Sequence, residues 1–105
     1  MYDLLPTEQL DNYRHDFIPD WELVRNKILQ KKFRANDYEH AIEWFYGLND
    51  VQTELDHFAD IAFFYNEILV QITTKDIDGL AKVDFILAKA IDSIAQQYNI
   101  EAVRA

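Results

Sequence analysis

The 105-residue sequence predicts an all-α fold: a small antiparallel helical bundle with two long C-terminal helices and shorter N-terminal helices packed across them. Three observations lead there. Only two glycines and two prolines occur, which leaves little of the usual turn chemistry of β-hairpins. Half of the residues are hydrophobic and 14% are aromatic, enough apolar side chain for a packed core despite a net charge of −9. Apolar residues also recur at spacings of three and four through the C-terminal half.

Each element follows from its caps and its period. Thr7, after Pro6, is placed to cap a first helix that ends near Asp16, because Pro19 denies Ile18 an easy helical conformation. Asp20 caps a second helix with Trp21, Val24, Ile28 and Leu29 on one side, ending near Phe33. Asn36 and Glu39 have the spacing of a capping box, Tyr38, Ala41, Ile42 and Phe45 follow at helical intervals, and Gly47 ends the run. After Asn49 or Asp50, the residues Val51, Leu55, Phe58, Ala62, Tyr65, Leu69 and Ile72 predict one helix over 50–72. Its apolar seam is about 32 Å long at 1.5 Å per residue. Thr73 with Asp76 caps the last helix, over 76–98, whose seam is Leu80, Val83, Leu87, Ala90 and Ile94. A short polar turn between the two long helices makes them antiparallel, and the chain is read as one helical domain, 1–105.

The stretch from Asn36 to Phe45 resembles the second helix of a tetratricopeptide repeat, with Asp37 and Tyr38 ahead of Ala41 and Ile42 and of the aromatics Trp44 and Phe45. That pattern asks for a small residue at Leu29 and an aromatic at Lys32, so two successive helical hairpins account for the likeness without a repeat family.

Charge is distributed unevenly. Residues 1–36 hold six acids and six bases, so the remaining 69 carry the whole −9. Between Arg34 and Lys75 there is no Lys or Arg, while eight acids occur. On the predicted long helix Asp56, Asp60 and Glu67 oppose the apolar seam, with Phe63 among them and Phe64 at their edge. Rings amid carboxylates suit a basic protein surface, such as that of a nucleic-acid-binding protein, with charge speeding encounter and aromatics supplying affinity. The partner-binding residues are read as Glu39, Glu43, Trp44, Tyr46, Asp56, Asp60, Phe63, Phe64 and Glu67. Direct nucleic-acid binding is disfavoured, because neutralising phosphates needs a basic surface.

Residues that carry chemistry are sparse. With no cysteine there is no thiol nucleophile, with glycine only at 47 and 79 there is no phosphate loop, and the sole serine, Ser93, lies mid-helix. Asp37 with His40 and Glu54 with His57 have the i, i+3 spacing of metal-binding bundles. An acid in a helix's opening turn is expected as a cap, however, and Glu22, Glu43 and Glu67 point to polar sides. Asp84, at the border of the last seam, reads as a partly exposed acid bonded to a neighbour. No catalytic residue, metal or cofactor is assigned.

The predicted function is therefore a non-enzymatic acidic helical protein that binds, and inhibits or regulates, a basic partner, as small bacterial or phage inhibitors do. A carboxylate/His metal-binding bundle and a structural homodimer or helical-hairpin scaffold are the alternatives. The opening residues lack a basic stretch followed by an apolar one, and the longest apolar run, Ile61 to Tyr65, is far too short for a bilayer. A soluble, cytoplasmic protein with no membrane partner is expected.

Overall fold

Five short strands, the three longest with alternating burial, organise the chain in place of two long helical seams. A computed structural model describes residues 2–103. The first helix, α1 (Thr7–Phe17), stops before Pro19 as expected, but Pro6 holds its N-cap position and Thr7 is its first helical residue, with no side-chain capping hydrogen bond. The segment after Asp20 is a hairpin of β1 (Glu22–Val24) and β2 (Ile28–Arg34). Its turn closes with the Lys27 N–H donating to the Val24 carbonyl at 3.0 Å, and Arg25 and Asn26 have φ of 52° and 57°. Two successive positive values are those of a type I′ turn, whose twist matches the flanking strands.

Two helices follow, α2 (Tyr38–Gly47) and α3 (Asn49–Leu55), the first capped by Asp37, which accepts from the His40 N–H at 2.9 Å. Asp56, left-handed at φ 50°, ends α3. Then come β3 (Asp60–Phe64), β4 (Glu67–Ile72), a 3-10 turn (Lys75–Ile77), α4 (Lys82–Gln97) and β5 (Glu101–Val103). The sheet is antiparallel throughout. Strand β2 pairs β4 from Leu29↔Ile72 to Arg34↔Glu67, β1 and β5 share its other edge, and β3 lies outside β4.

The fold is thus mixed helix and sheet, and the all-α bundle is corrected. The predicted helix over 20–33 is the β1–β2 hairpin, and the one over 50–72 is α3 followed by the β3–β4 hairpin. A period of two overrides the spacing of three and four: Leu29, Lys31 and Phe33, and Ile68, Val70 and Ile72, are buried while their neighbours are less so. The β-branched residues at 68, 70 and 72 suit a pleated surface better than a helix. Scarce glycine did not forbid hairpins either. The turns use Arg25, Asn26, Asp56, Tyr65, Asp78 and Asn99, all at positive φ.

One face of the sheet is closed by the helices. Phe33 sits between Trp21 and Trp44, with ring centroids 6.1 and 4.8 Å away, and Leu87, Ala88 and Ile91 of α4 belong to the same buried cluster. Phe33→Ala would open that wedge at a cost of about 3–5 kcal/mol. Lys31 also points inward, and its Nζ donates to Asp92 at 2.8 Å while Trp21 Nε1 donates to the other Asp92 oxygen at 3.0 Å. A buried ammonium is tolerated only with such partners. The N-terminal strap crosses Gly79, where a Cβ would come within 2.5 Å of Leu4 Cδ1, and is held by the Leu5 N–H to the Leu80 carbonyl at 2.9 Å. Among the described residues no helix is long and apolar enough to cross a membrane.

Candidate active site

Beneath that strap, three polar side chains from separate elements meet in the core. Asp84 occupies the third position of α4 and reaches back to the helix start, accepting the Ala81 N–H at 2.8 Å on Oδ2. The same oxygen accepts the Thr74 hydroxyl at 2.6 Å, and Oδ1 meets His57 Nε2 at 2.6 Å. Asp84 is fully buried, Thr74 is 2% exposed and His57 is 8% exposed. A hydroxyl and a helix-start N–H both donating to Oδ2 make the environment of a carboxylate, which accepts only. Nε2 of His57 therefore carries a hydrogen toward Asp84, leaving Nδ1 with a lone pair.

Local structure aims the imidazole. The His57 N–H donates to the Gln52 carbonyl at 3.0 Å, and Gln52 Oε1 accepts the Ala59 N–H at 2.8 Å, so the link from α3 to β3 is tied on both sides of the ring. Thr74 is fixed by a bridge to Gly79, with its N–H donating to the Gly79 carbonyl at 2.9 Å. The Tyr2 ring lies 5.6 Å from the imidazole, tilted by 57°. Nδ1 has no hydrogen-bond partner among the described residues, and the one buried, unpartnered side-chain nitrogen among them is Trp44 Nε1. Nδ1 is thus the unspent nitrogen of the ring, left to take or give a proton. An oriented imidazole backed by a buried carboxylate is the arrangement of a general acid–base group.

The other singled-out residues fall elsewhere. Asp37 and His40 form an exposed pair at 2.7 Å on the first turn of α2. The His40 backbone N–H, then its ring, holds the Asp37 carboxyl below its ordinary range, and the hydrogen bond to Asp37 raises the His40 imidazole. Glu54 is exposed on α3 while His57 turns to Asp84, so that pair does not converge on an ion. Among the described residues no three His, Cys, Asp or Glu side chains gather as metal ligands. Asp84, read as partly exposed, is instead fully buried. The trace that could have marked it is an acid on the apolar side of a helix, costly there without a buried partner.

Of the partner-binding residues, Trp44 does not reach the surface: it is 0% exposed and packs on Phe33, because its side of α2 faces the sheet. Glu39, Glu43, Tyr46 and Asp56 are exposed, and Phe64 stands on the open side of β3. Phe63 is half-buried against Phe45. Asp60 pairs with Lys75 at 3.3 Å and Glu67 with Arg34 at 2.6 Å, the latter holding the Glu67 carboxyl below its usual range.

Comparison with known proteins gives these residues a context. The family model described as pterin 4 alpha carbinolamine dehydratase matches residues 3–94. A relative from Picosynechococcus sp., named for that dehydratase, is 37% identical over 76 residues, 72% of this chain and 82% of that protein. One from Saccharolobus solfataricus, with the same name, is 31% identical over 78 residues, 73% of this chain and 80% of that protein. A solved structure described as a transcriptional coactivator/pterin dehydratase from Brucella melitensis superposes with a TM-score of 0.80 at 19% identity, covering 89% of this chain and 99% of that one.

Proposed function

The chain belongs to the pterin-4-alpha-carbinolamine dehydratase family, and from that premise we propose that it removes water from a pterin carbinolamine, with His57 as the proton-transferring group. The family match overturns the expectation of a non-enzymatic inhibitor of a basic protein. With the helical bundle gone, the bundle-based metal alternative also loses its frame.

A carbinolamine carries hydroxyl and amine nitrogen on one carbon. Its dehydration breaks the C–O bond, removes the N–H proton and forms C=N, releasing one water. The requirement is a group that takes the nitrogen's proton and supplies one to the departing oxygen. A single imidazole meets both needs in sequence, because the proton accepted at Nδ1 is the one returned to the leaving hydroxyl. Asp84 acts through His57: it fixes the tautomer that leaves Nδ1 basic and stabilises the imidazolium formed between the two transfers. Thr74 and the Ala81 N–H hold Asp84 in that role, which makes both residues positioning groups.

The observation that carries this reading is an imidazole whose Nε2 is bound to a fully buried carboxylate while its Nδ1 is left unspent. Its test is the rate of dehydration of a pterin carbinolamine generated in situ, for the wild type and for His57→Gln. The wild type is expected to exceed the buffer rate, and His57→Gln to lose about a hundredfold or more of that excess. A wild type no faster than buffer, or a His57→Gln variant with undiminished rate, would overturn the proposal.

A further inference from the structure

We propose that the aromatic surface spanning α2 and the tip of the β3–β4 hairpin docks an arginine-bearing segment of a partner protein, a role separate from the dehydration. Single exposed rings are ordinary on a protein surface, but here they are linked. Tyr65 stacks on Tyr38 with centroids 6.4 Å apart and planes at 20°, Tyr38 touches Phe63 at 6.4 Å, and Phe63 meets Phe45 at 5.5 Å. Phe45 in turn lies 6.1 Å from Tyr46. Tyr46 and Tyr65 are each 71% exposed, so the two ends of this chain of rings stand in solvent.

Backbone conformation adds a second observation. Tyr65 holds φ at 59°, a left-handed value that a bulky side chain adopts at a cost. Glycine or asparagine would make the same turn with less strain. What the tyrosine adds at that position is an exposed ring laid on Tyr38.

Charge selects the occupant. Glu39 and Glu43 are exposed one turn apart on α2, in line with Tyr46 at i, i+4 and i+7. Neither has an ion pair among the described residues, whereas Asp11, Asp60, Glu67, Asp78 and Asp92 each bind a Lys or Arg. No Lys or Arg occurs from residue 35 to residue 74, and Arg34, beside the hairpin tip, is engaged with Glu67 at 2.6 Å. A guanidinium is the group that both stacks on tyrosine faces and forks onto carboxylates. The dyad of His57 and Asp84 sits at the opposite end of β3, so a docked segment leaves Nδ1 open.

The test is fluorescence anisotropy of a labelled octapeptide alternating arginine and leucine, at about 150 mM salt so that long-range attraction is screened. Saturable binding is expected. Glu39→Lys with Glu43→Lys should weaken it at least about tenfold, and Tyr38→Ala with Tyr65→Ala comparably. Glu8→Lys with Asp16→Lys, the same charge change placed on α1, should leave it within about twofold. Circular dichroism checks that each variant folds, and the exposed charge variants keep the test decisive if the tyrosine variant does not. Equal weakening by both charge reversals, or no saturation, would overturn the proposal. So would light scattering that finds a dimer which Tyr65→Ala converts to a monomer, because the surface would then belong to a second copy.

Discussion

Asp37 meets His40 at 2.7 Å on the opening turn of α2, and Asp84 meets His57 at 2.6 Å between the start of α4 and the entry to β3. The two contacts are almost equal in length and alike in chemistry. Their surroundings differ. The first pair lies three residues apart with both side chains half in water, so solvent competes for each group and the ring has other orientations open to it. The second joins residues 27 apart in the chain, is enclosed, and is tied further by Thr74 and the Ala81 N–H. A short aspartate–histidine distance is therefore not a mark of function. What matters is whether the rest of the structure leaves one nitrogen of the ring both oriented and unspent.

The contrast is open to direct attack, and the largest effect lies in the rate. His57→Gln is expected to lower dehydration by about a hundredfold or more while His40→Gln leaves it unchanged. Equal losses in a carbinolamine assay would erase the distinction between the pairs. Asp84→Asn comes next. An amide cannot accept from three donors as a carboxylate does, so unfolding in urea should show a loss of about 3 kcal/mol. The pH–rate profile should also shift, which a purely structural acid would not cause. Asp37→Ala, which removes an exposed cap, should move the urea midpoint less.

Thr74→Val separates the two functions of the buried cluster. It removes one donor from Asp84 while keeping shape, and should cost about 1–2 kcal/mol in the same titration with a smaller fall in rate than His57→Gln. A fall as large as that of His57→Gln would make Thr74 more than a support.

The smallest effect belongs to the exposed pair and is read as pH dependence. Asp37 titrates below its ordinary 3.8, chiefly through the His40 backbone N–H, so its contribution is present above 3.8 and lost as pH falls through the lowered value. His40 titrates above its ordinary 6.5 through its hydrogen bond to Asp37, so its contribution is full below 6.5 and lost as pH rises through the raised value. The pair stabilises most between those limits. The difference in urea midpoint between wild type and His40→Gln should be larger near pH 5 than near pH 9, and a difference that grew with pH would reverse the sign assigned here.

Legibility in the sequence follows the same divide. The pair of Asp37 and His40 could be read directly, since three residues on a helix are neighbours whatever the rest of the chain does. Helix α1 and its stop at Pro19, the α2 segment and the body of α4 were legible for the same reason: caps, prolines and a helical period act locally. The pair of His57 and Asp84 was not legible, because the two residues meet only when α3 ends at Asp56 and β4 delivers Thr74 to the start of α4. The predicted continuous helix over 50–72 put Glu54 beside His57 and left Asp84 looking like a border residue.

By itself the sequence determined the unequal charge, the abundance of rings around residues 38–65 and the local helix signals, all of which depend on residue identity and near neighbours. Only the tertiary structure decided between helix and strand for 20–33 and 50–72. There, apolar residues satisfied both periods, and pairing across the sheet settled which side of each segment could be buried. It also decided which imidazole matters, because orienting a ring and emptying water from one side of it takes groups that are distant in the chain and adjacent only in the packed core.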